Sequence, residues 1–322
     1  MQKQLKILVI RFSSIGDIIL TTPVVRCLKL QTNAKVHYLT KKKYKSLLYS
    51  NDYIDQLFLL DNNFNSLLKQ LEYECYDYVI DLHNNLRTKY LKLKLNVKAY
   101  SLSKDIIKRF LLINFGANLL NNHVVERYFK TIKFLNITDD NKGIDFTLNK
   151  EEIIDYNFKQ DYLAWCIGGT YNQKKLSVNQ IKEVVEKINI PVVFLGGDKE
   201  AFYAQEVVRV SKHQKLVNFC GKLSINQSAY IIKYSKLFLT NDTGLMHIAT
   251  SFKVPILSFW GCTKPSLGFY TFQPKMLSKN IVAKNSTRPC SRHGNYCRYY
   301  KEGCVKTIAP QKIVDNILEM LN

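Results

Sequence analysis

Leu5-Lys6-Ile7-Leu8-Val9-Ile10-Arg11-Phe12-Ser13-Ser14-Ile15-Gly16-Asp17 begins as an apolar run, breaks at a polar turn and resumes in a helix-like pattern. A short continuous apolar run ending in turn residues reads as a strand covered on both faces. The hand-over from such a strand to a helix aims backbone N–H groups and the positive end of a helix dipole at one point, which suits a phosphate. The same construction recurs near the other end, where Leu237-Phe238-Leu239 breaks at Thr240-Asn241-Asp242-Thr243-Gly244 and a helix follows from Leu245 to Phe252. Two such junctions, one per half of the chain, predict two α/β domains with a cleft between them.

Outward from the first junction, strand-like runs at 5–10, 35–40, 56–60, 77–82 and 97–102 alternate with helical patterns that include 64–73 and 85–95. That alternation is the signature of a parallel sheet with crossover helices. A longer helix is predicted from His123 to Asn136, with apolar residues at 124, 125, 128, 129, 132 and 135. The polar stretch 138–160 reads as the interdomain linker. The second half restarts with strands at 162–167, 191–195, 215–219, 236–240 and 254–259, and helices at 177–188, 199–211, 224–234 and 243–252. Domains are expected at 1–155 and 156–322, with the last helix, Pro310 to Leu321, packing back on the first domain.

A chain of 322 residues, 46% of them apolar, is globular and large enough for two cores. It has no apolar run long enough to span a bilayer, and its opening strand leaves no room for a signal peptide, so a cytoplasmic location is expected. The formal charge of +21, from 47 basic against 26 acidic residues, favours an anionic partner. No nucleic-acid-binding signature accompanies it, so nucleic acid is not an expected partner.

Eight cysteines in such a chain do not suggest a disulfide framework. Cys27, Cys75, Cys166 and Cys220 lie among apolar residues and read as small core side chains. Cys290, His293, Cys297 and Cys304 fall together in a basic tail and form the one candidate tetrahedral metal site, against the alternatives of free thiols or a redox-sensitive pair.

At the first junction, Ser13, Ser14 and Gly16 bring hydroxyls and backbone N–H to an anion. Asp17, in the first turn of the helix, either caps it or serves as a base. Pro23 either kinks this helix or marks a second start with Thr22 as its cap. At the second junction Asp242 and Thr243 offer caps, Gly244 permits close approach of a phosphate, and His247 lies one turn further on. Thr170 and Lys174 follow the strand at 162–167, and Glu200 follows the strand at 191–195. A lysine so placed would neutralise a departing diphosphate. A glutamate there either accepts from ribose hydroxyls or faces solvent.

Five separated blocks give the chain a resemblance to glycosyltransferase family 9, the lipopolysaccharide heptosyltransferases. They are Ile10-Arg11-Phe12-Ser13-Ser14-Ile15-Gly16-Asp17, Asp81-Leu82-His83-Asn84-Asn85-Leu86-Arg87, His123-Val124-Val125-Glu126-Arg127, Asn241-Asp242-Thr243-Gly244-Leu245-Met246-His247 and Phe259-Trp260-Gly261-Cys262-Thr263-Lys264-Pro265. The resemblance implies a GT-B fold of two facing Rossmann-like domains with parallel sheets, the first binding the acceptor and the second the nucleotide sugar. It implies Asp17 as the base of a single inverting displacement, and Lys174 with Thr170 as the phosphate-contacting pair. Asp242, Thr243, Gly244 and His247 would form the donor loop, with Glu200 at the ribose. Ser13, Ser14, Gly16 and Arg87 would hold the acceptor.

The implied reaction transfers heptose from ADP-heptose to an anionic glycolipid acceptor, by an enzyme resting on the inner face of the cytoplasmic membrane and needing no cofactor. A UDP-sugar donor, or a sugar-nucleotide epimerase, is the alternative. The chain departs from the family at Leu60-Asp61-Asn62-Asn63-Phe64, which has no basic residue, at Leu176-Ser177 and at Gly261-Cys262-Thr263.

Overall fold

Lys6–Ile10 forms the strand that its apolar run predicts, and its last four residues are buried. In the computed structural model, which describes residues 4–154, 160–213, 215–272, 277–284 and 287–322, this strand is the central one of the first of two parallel sheets. In chain order the elements are β1 (Lys6–Ile10), α1 (Ile15–Ile19), α2 (Thr22–Thr32), β2 (Lys35–Lys41), β3 (Gln56–Leu60), α3 (Phe64–Tyr73), β4 (Tyr78–Asp81), α4 (Leu86–Leu95), β5 (Ala99–Ser101), α5 (Ile106–Phe115) and α6 (Val124–Lys130). They continue with β6 (Leu163–Cys166), α7 (Val178–Val185), β7 (Val192–Leu195), α8 (Asp198–Val210), β8 (Leu216–Asn218), α9 (Ile225–Lys233), β9 (Leu237–Asn241), α10 (Gly244–Ser251), β10 (Ile256–Trp260), β11 (Ser278–Val282) and α11 (Pro310–Leu321).

The chain divides into two units, 1–105 with 122–147, and 106–121 with 148–322. The first holds a sheet of order β3-β2-β1-β4-β5 and the second a sheet of order β11-β10-β9-β6-β7-β8. Every described strand pairing is parallel. β6, β7, β9 and β10 are buried along their whole length, as strands covered by helices on both faces must be. Among the described residues no helix is long and apolar enough to cross a membrane.

The expected division at 155/156 lies outside the described residues; the contacts divide the chain at 147/148 and group 106–121 with the second unit. Arg26 of α2 is buried, and its guanidinium donates to both carboxylate oxygens of Asp140 at 2.7 and 2.9 Å, to Gly143 O at 2.8 Å, and to Asp145. The polar stretch after Asn136 is thereby pinned to the first unit.

The helix expected from His123 to Asn136 stops at Lys130, where Thr131 Oγ1 bonds back to Tyr128 O at 2.7 Å; one turn of 3₁₀ helix, Lys133–Leu135, follows. The first helix breaks at Leu20 and Pro23 stands in the opening turn of a second helix, so there is a second start, but its cap position is Thr21 and Thr22 is already helical. The apolar face of the last helix belongs to the core of the second unit, where Ile313, Val314, Ile317 and Met320 join α7 residues Ile181, Val184 and Val185. Sequence reading missed α5 and β11. In α5 the apolar residues run round the helix without a polar face, and Ile106, Ile107, Phe110 and Phe115 are exposed.

Candidate functional site

In an open parallel sheet ligands bind beyond the carboxyl ends of the strands, where successive connections leave in opposite directions. In the first unit that point lies between β1 and β4, because β2 and β3 follow on one side and β4 and β5 on the other. Arg11 ties the two loops together, donating from Nη1 to Leu82 O at 2.5 Å and from Nε to Ser13 O at 2.7 Å. Its remaining nitrogen meets Asp17 Oδ1 at 2.7 Å.

Asp17 sits in the first turn of α1. Its other oxygen accepts from Ser14 N at 3.1 Å and Ser14 Oγ at 2.8 Å. Capping and chemical availability are therefore compatible, since a carboxylate offers about four acceptor sites. Burial works to raise the Asp17 pKa, but the Arg11 charge and the Ser14 hydrogen bonds outweigh it, so the group ionises below the usual range. Gly16 is buried beneath this turn.

From the β4 side, Asp81 is fully buried and organises the loop by accepting from His83 N at 3.0 Å and Asn84 N at 2.7 Å. His83 rests edge-on against Phe12, with ring centroids 5.2 Å apart. Its Nδ1 is buried with no hydrogen-bond partner among the described residues. Burial, reinforced by Arg11, pushes its pKa down to about 4, so the ring is neutral at physiological pH. Arg87 stands exposed in the first turn of α4. The structure thus gathers Ser13, Ser14, Gly16 and Asp17 and sets Arg87 in the first turn of the helix that follows β4. It adds Arg11 and His83, whose place in the quoted blocks was the only sequence signal for them.

In the second unit the corresponding point lies between β6 and β9. Loops after these strands carry Lys174 and Asp242, and Lys174 Nζ meets Asp242 Oδ2 at 2.7 Å. Burial raises the Asp242 pKa, yet Lys174 first and His247 and Thr263 after it bring the net shift below the ordinary value. The pairing explains why Asp242 does not cap α10; Thr243, at the cap position, makes no side-chain cap bond and instead meets Thr240 Oγ1 at 3.0 Å. Asn241 Nδ2 donates to Gly168 O at 2.8 Å, stitching the two loops.

Gly244 opens α10 and leaves that helix end without a side chain in its way. His247 is buried one turn in. Glu200 is buried, so the solvent-facing reading fails: it accepts from Lys175 Nζ at 2.5 Å and Gly197 N at 3.1 Å. Thr170 is exposed on the loop after β6.

Among the four thiols expected in the core, Cys27, Cys166 and Cys220 are buried but Cys75 is exposed. The candidate metal group also changes. His293 is exposed and outside the cluster, and Cys262 takes its place beside Cys290, Cys297 and Cys304.

Two parallel α/β units, each with an anion-suited junction at its switch point, frame the comparison with known proteins. The family model for glycosyltransferase family 9 (heptosyltransferase) matches residues 64–300, well over half of the chain. The chain belongs to glycosyltransferase family 9. It is therefore a glycosyltransferase, and its two Rossmann-like units are those of the GT-B fold.

This family 9 protein is 25% identical over 293 residues to lipopolysaccharide heptosyltransferase 1 of Campylobacter coli, covering 80% of this chain and 84% of that one. Among solved structures, it resembles the Escherichia coli ADP-heptose lps heptosyltransferase II, with a TM-score of 0.74, 17% identity and 98% of both chains covered. It also resembles the E. coli heptosyltransferase WaaC with ADP-2-deoxy-2-fluoro heptose, with a TM-score of 0.70, 15% identity, and 98% and 99% coverage of this chain and that one.

Proposed function

We propose that this glycosyltransferase moves a heptose from ADP-heptose to a hydroxyl of a lipopolysaccharide-core acceptor, inverting the anomeric centre in one displacement. The observation that carries the reading is the Lys174–Asp242 pair at the switch point of the second sheet. Asp242 holds the ammonium with one of its three protons and leaves two for phosphate oxygens. Next to it, the backbone opening α10 at Gly244 adds unpaired N–H groups, and Thr170 adds a hydroxyl. Charge gathering on the leaving diphosphate is thus met by groups already in position. Glu200 accepts from the ribose, and His247 supports the loop from behind.

In the acceptor-binding unit, Asp17 takes the proton from the attacking hydroxyl as that oxygen bonds to the anomeric carbon and the carbon–phosphate oxygen bond breaks. Ser13, Ser14, Gly16 and Arg87 hold the acceptor. The acceptor lies in an anionic membrane leaflet, which the +21 charge favours, at about 1 kcal/mol per cation near the surface. The exposed Ile106, Ile107 and Phe110 with Lys108 suit that contact.

Two measurements test the proposal. ADP, not UDP, should raise the melting temperature, because only the matching nucleotide stabilises the fold by mass action. Incubation with ADP-heptose and a heptose-free core acceptor should yield ADP and a product of inverted anomeric configuration by NMR. Equal stabilisation by UDP, or a retained configuration, would overturn it.

A further inference from the structure

Cys262, Cys290, Cys297 and Cys304 come from two separate stretches of chain, the end of β10 and the segment after residue 287, yet all four sulfurs lie within 4.8 Å of one another. All four residues are buried. Cys304 Sγ is 3.1 Å from Cys297 Sγ and 3.9 Å from Cys290 Sγ, so neither pair is a disulfide. A tetrahedron with metal–sulfur bonds of about 2.3 Å has sulfur–sulfur edges of about 3.8 Å, which lies within the observed spread. The geometry points to a tetrathiolate site for one thiophilic metal ion, Zn(II) or iron, built from Cys262, Cys290, Cys297 and Cys304.

The surroundings suit such a centre. Described residues 287–303 contain no helix or strand, although three of the four thiols come from this segment and its immediate end. A metal would supply the cross-links that secondary structure does not. Tyr300 N donates to Cys297 Sγ at 3.3 Å, a hydrogen bond that favours a thiolate. Four thiolates on a divalent ion leave a charge of about −2. The segment is basic, with Arg288, Arg292, Arg298, Lys301 and Lys306, and the buried Lys264 follows Cys262 by two residues.

The site also backs the loop that carries Lys174. Gly294 is so close that a Cβ there would stand 2.6 Å from Lys174 Cγ, and a Cβ on Gly303 would collide with the backbone of Gln173. Cys262 Sγ itself lies 3.7 Å from Gln173 O. An ion fixing this segment to β10 would therefore hold the stem of Lys174 from behind. Its role is to position, and it touches no substrate.

The test is metal content of the full-length protein purified under reducing conditions, with elemental analysis to separate zinc from iron. About one metal ion per chain is expected. The protein stripped of metal should take up Co(II) and show the intense visible bands of a tetrahedral thiolate complex. Cys304→Ser should lower the metal content at least tenfold, and Cys75→Ser, at an exposed position, should leave it unchanged. If Cys304→Ser fails to fold, the Co(II) spectrum of the unaltered protein decides. A chain that carries no metal and gives no thiolate–Co(II) spectrum overturns the inference, as does full metal content in folded Cys304→Ser, or mass spectrometry finding these four cysteines paired as disulfides in the reduced preparation.

Discussion

Replacing Asp17 by Asn changes the proposed base by one atom and leaves its volume intact. The native carboxylate accepts from Arg11 through one oxygen and from Ser14 N and Oγ through the other. An amide keeps one accepting oxygen, so either the Arg11 contact or the Ser14 cap is lost. Arg11 still donates to Ser13 O and Leu82 O, and is not left as a bare buried charge. The stability cost is that of one charge-assisted hydrogen bond, about 1.5–3 kcal/mol.

The effect on turnover is larger. General-base assistance is worth about 10²–10⁴-fold, or about 2.7–5.4 kcal/mol at 1.36 kcal/mol per factor of ten. The donor KM should change little, since the proposed donor groups belong to the other unit. The assay is steady-state ADP release under saturating acceptor, paired with thermal unfolding of the same preparation. In the unaltered enzyme the acid limb attributable to Asp17 should lie below pH 3.8, because the net shift is downward and the ionised form persists to lower pH. A folded Asp17→Asn protein with kcat within about threefold of the parent, far short of the expected general-base loss, would refute the assignment.

Three further outcomes are expected. Gly294→Ala, at φ +79° and with its new methyl 2.6 Å from Lys174 Cγ, should displace that lysine without touching any ligand. ADP affinity by calorimetry should fall about tenfold, or about 1.4 kcal/mol, and unchanged affinity would mean that Lys174 does not bind the diphosphate. Arg26→Met should destabilise the first unit by about 1.5–3 kcal/mol in denaturant titrations, since it removes the charge-assisted hydrogen bonds made to the half-buried carboxylates of Asp140 and Asp145. His83, whose folded pKa is depressed to about 4 from 6.5, should make stability fall as pH drops between those values, because there the unfolded chain binds the proton and the folded chain does not. His83→Gln should flatten that part of the unfolding profile, and an unchanged slope would rule out the buried neutral ring.

Local sequence determined both ligand junctions and every strand but β11. An apolar run followed by a polar, glycine-containing turn needs no distant partner to be read, and β1, β4, β6 and β9 lie where those runs place them. The residues that depend on distant partners were not legible in the same way. Asp17 read equally as a cap or a base; only Arg11, bridging to Leu82 across 71 positions, shows the carboxylate held as a charged group at a sheet switch point. The stretch after Asn136 read as a free linker because Arg26, its anchor, stands 114 positions from Asp140.

His293 looked like a fourth metal ligand because it is near Cys290 in the chain. Cys262 replaces it because the crossover that ends β10 delivers its sulfur to the same point in space. Periodicity and turn chemistry are properties of neighbouring residues, so the sequence by itself specified the alternation and most of the elements, though not α5 or β11. Burial, ion pairing and the meeting of thiols depend on which elements become adjacent, and only the folded sheets decided those.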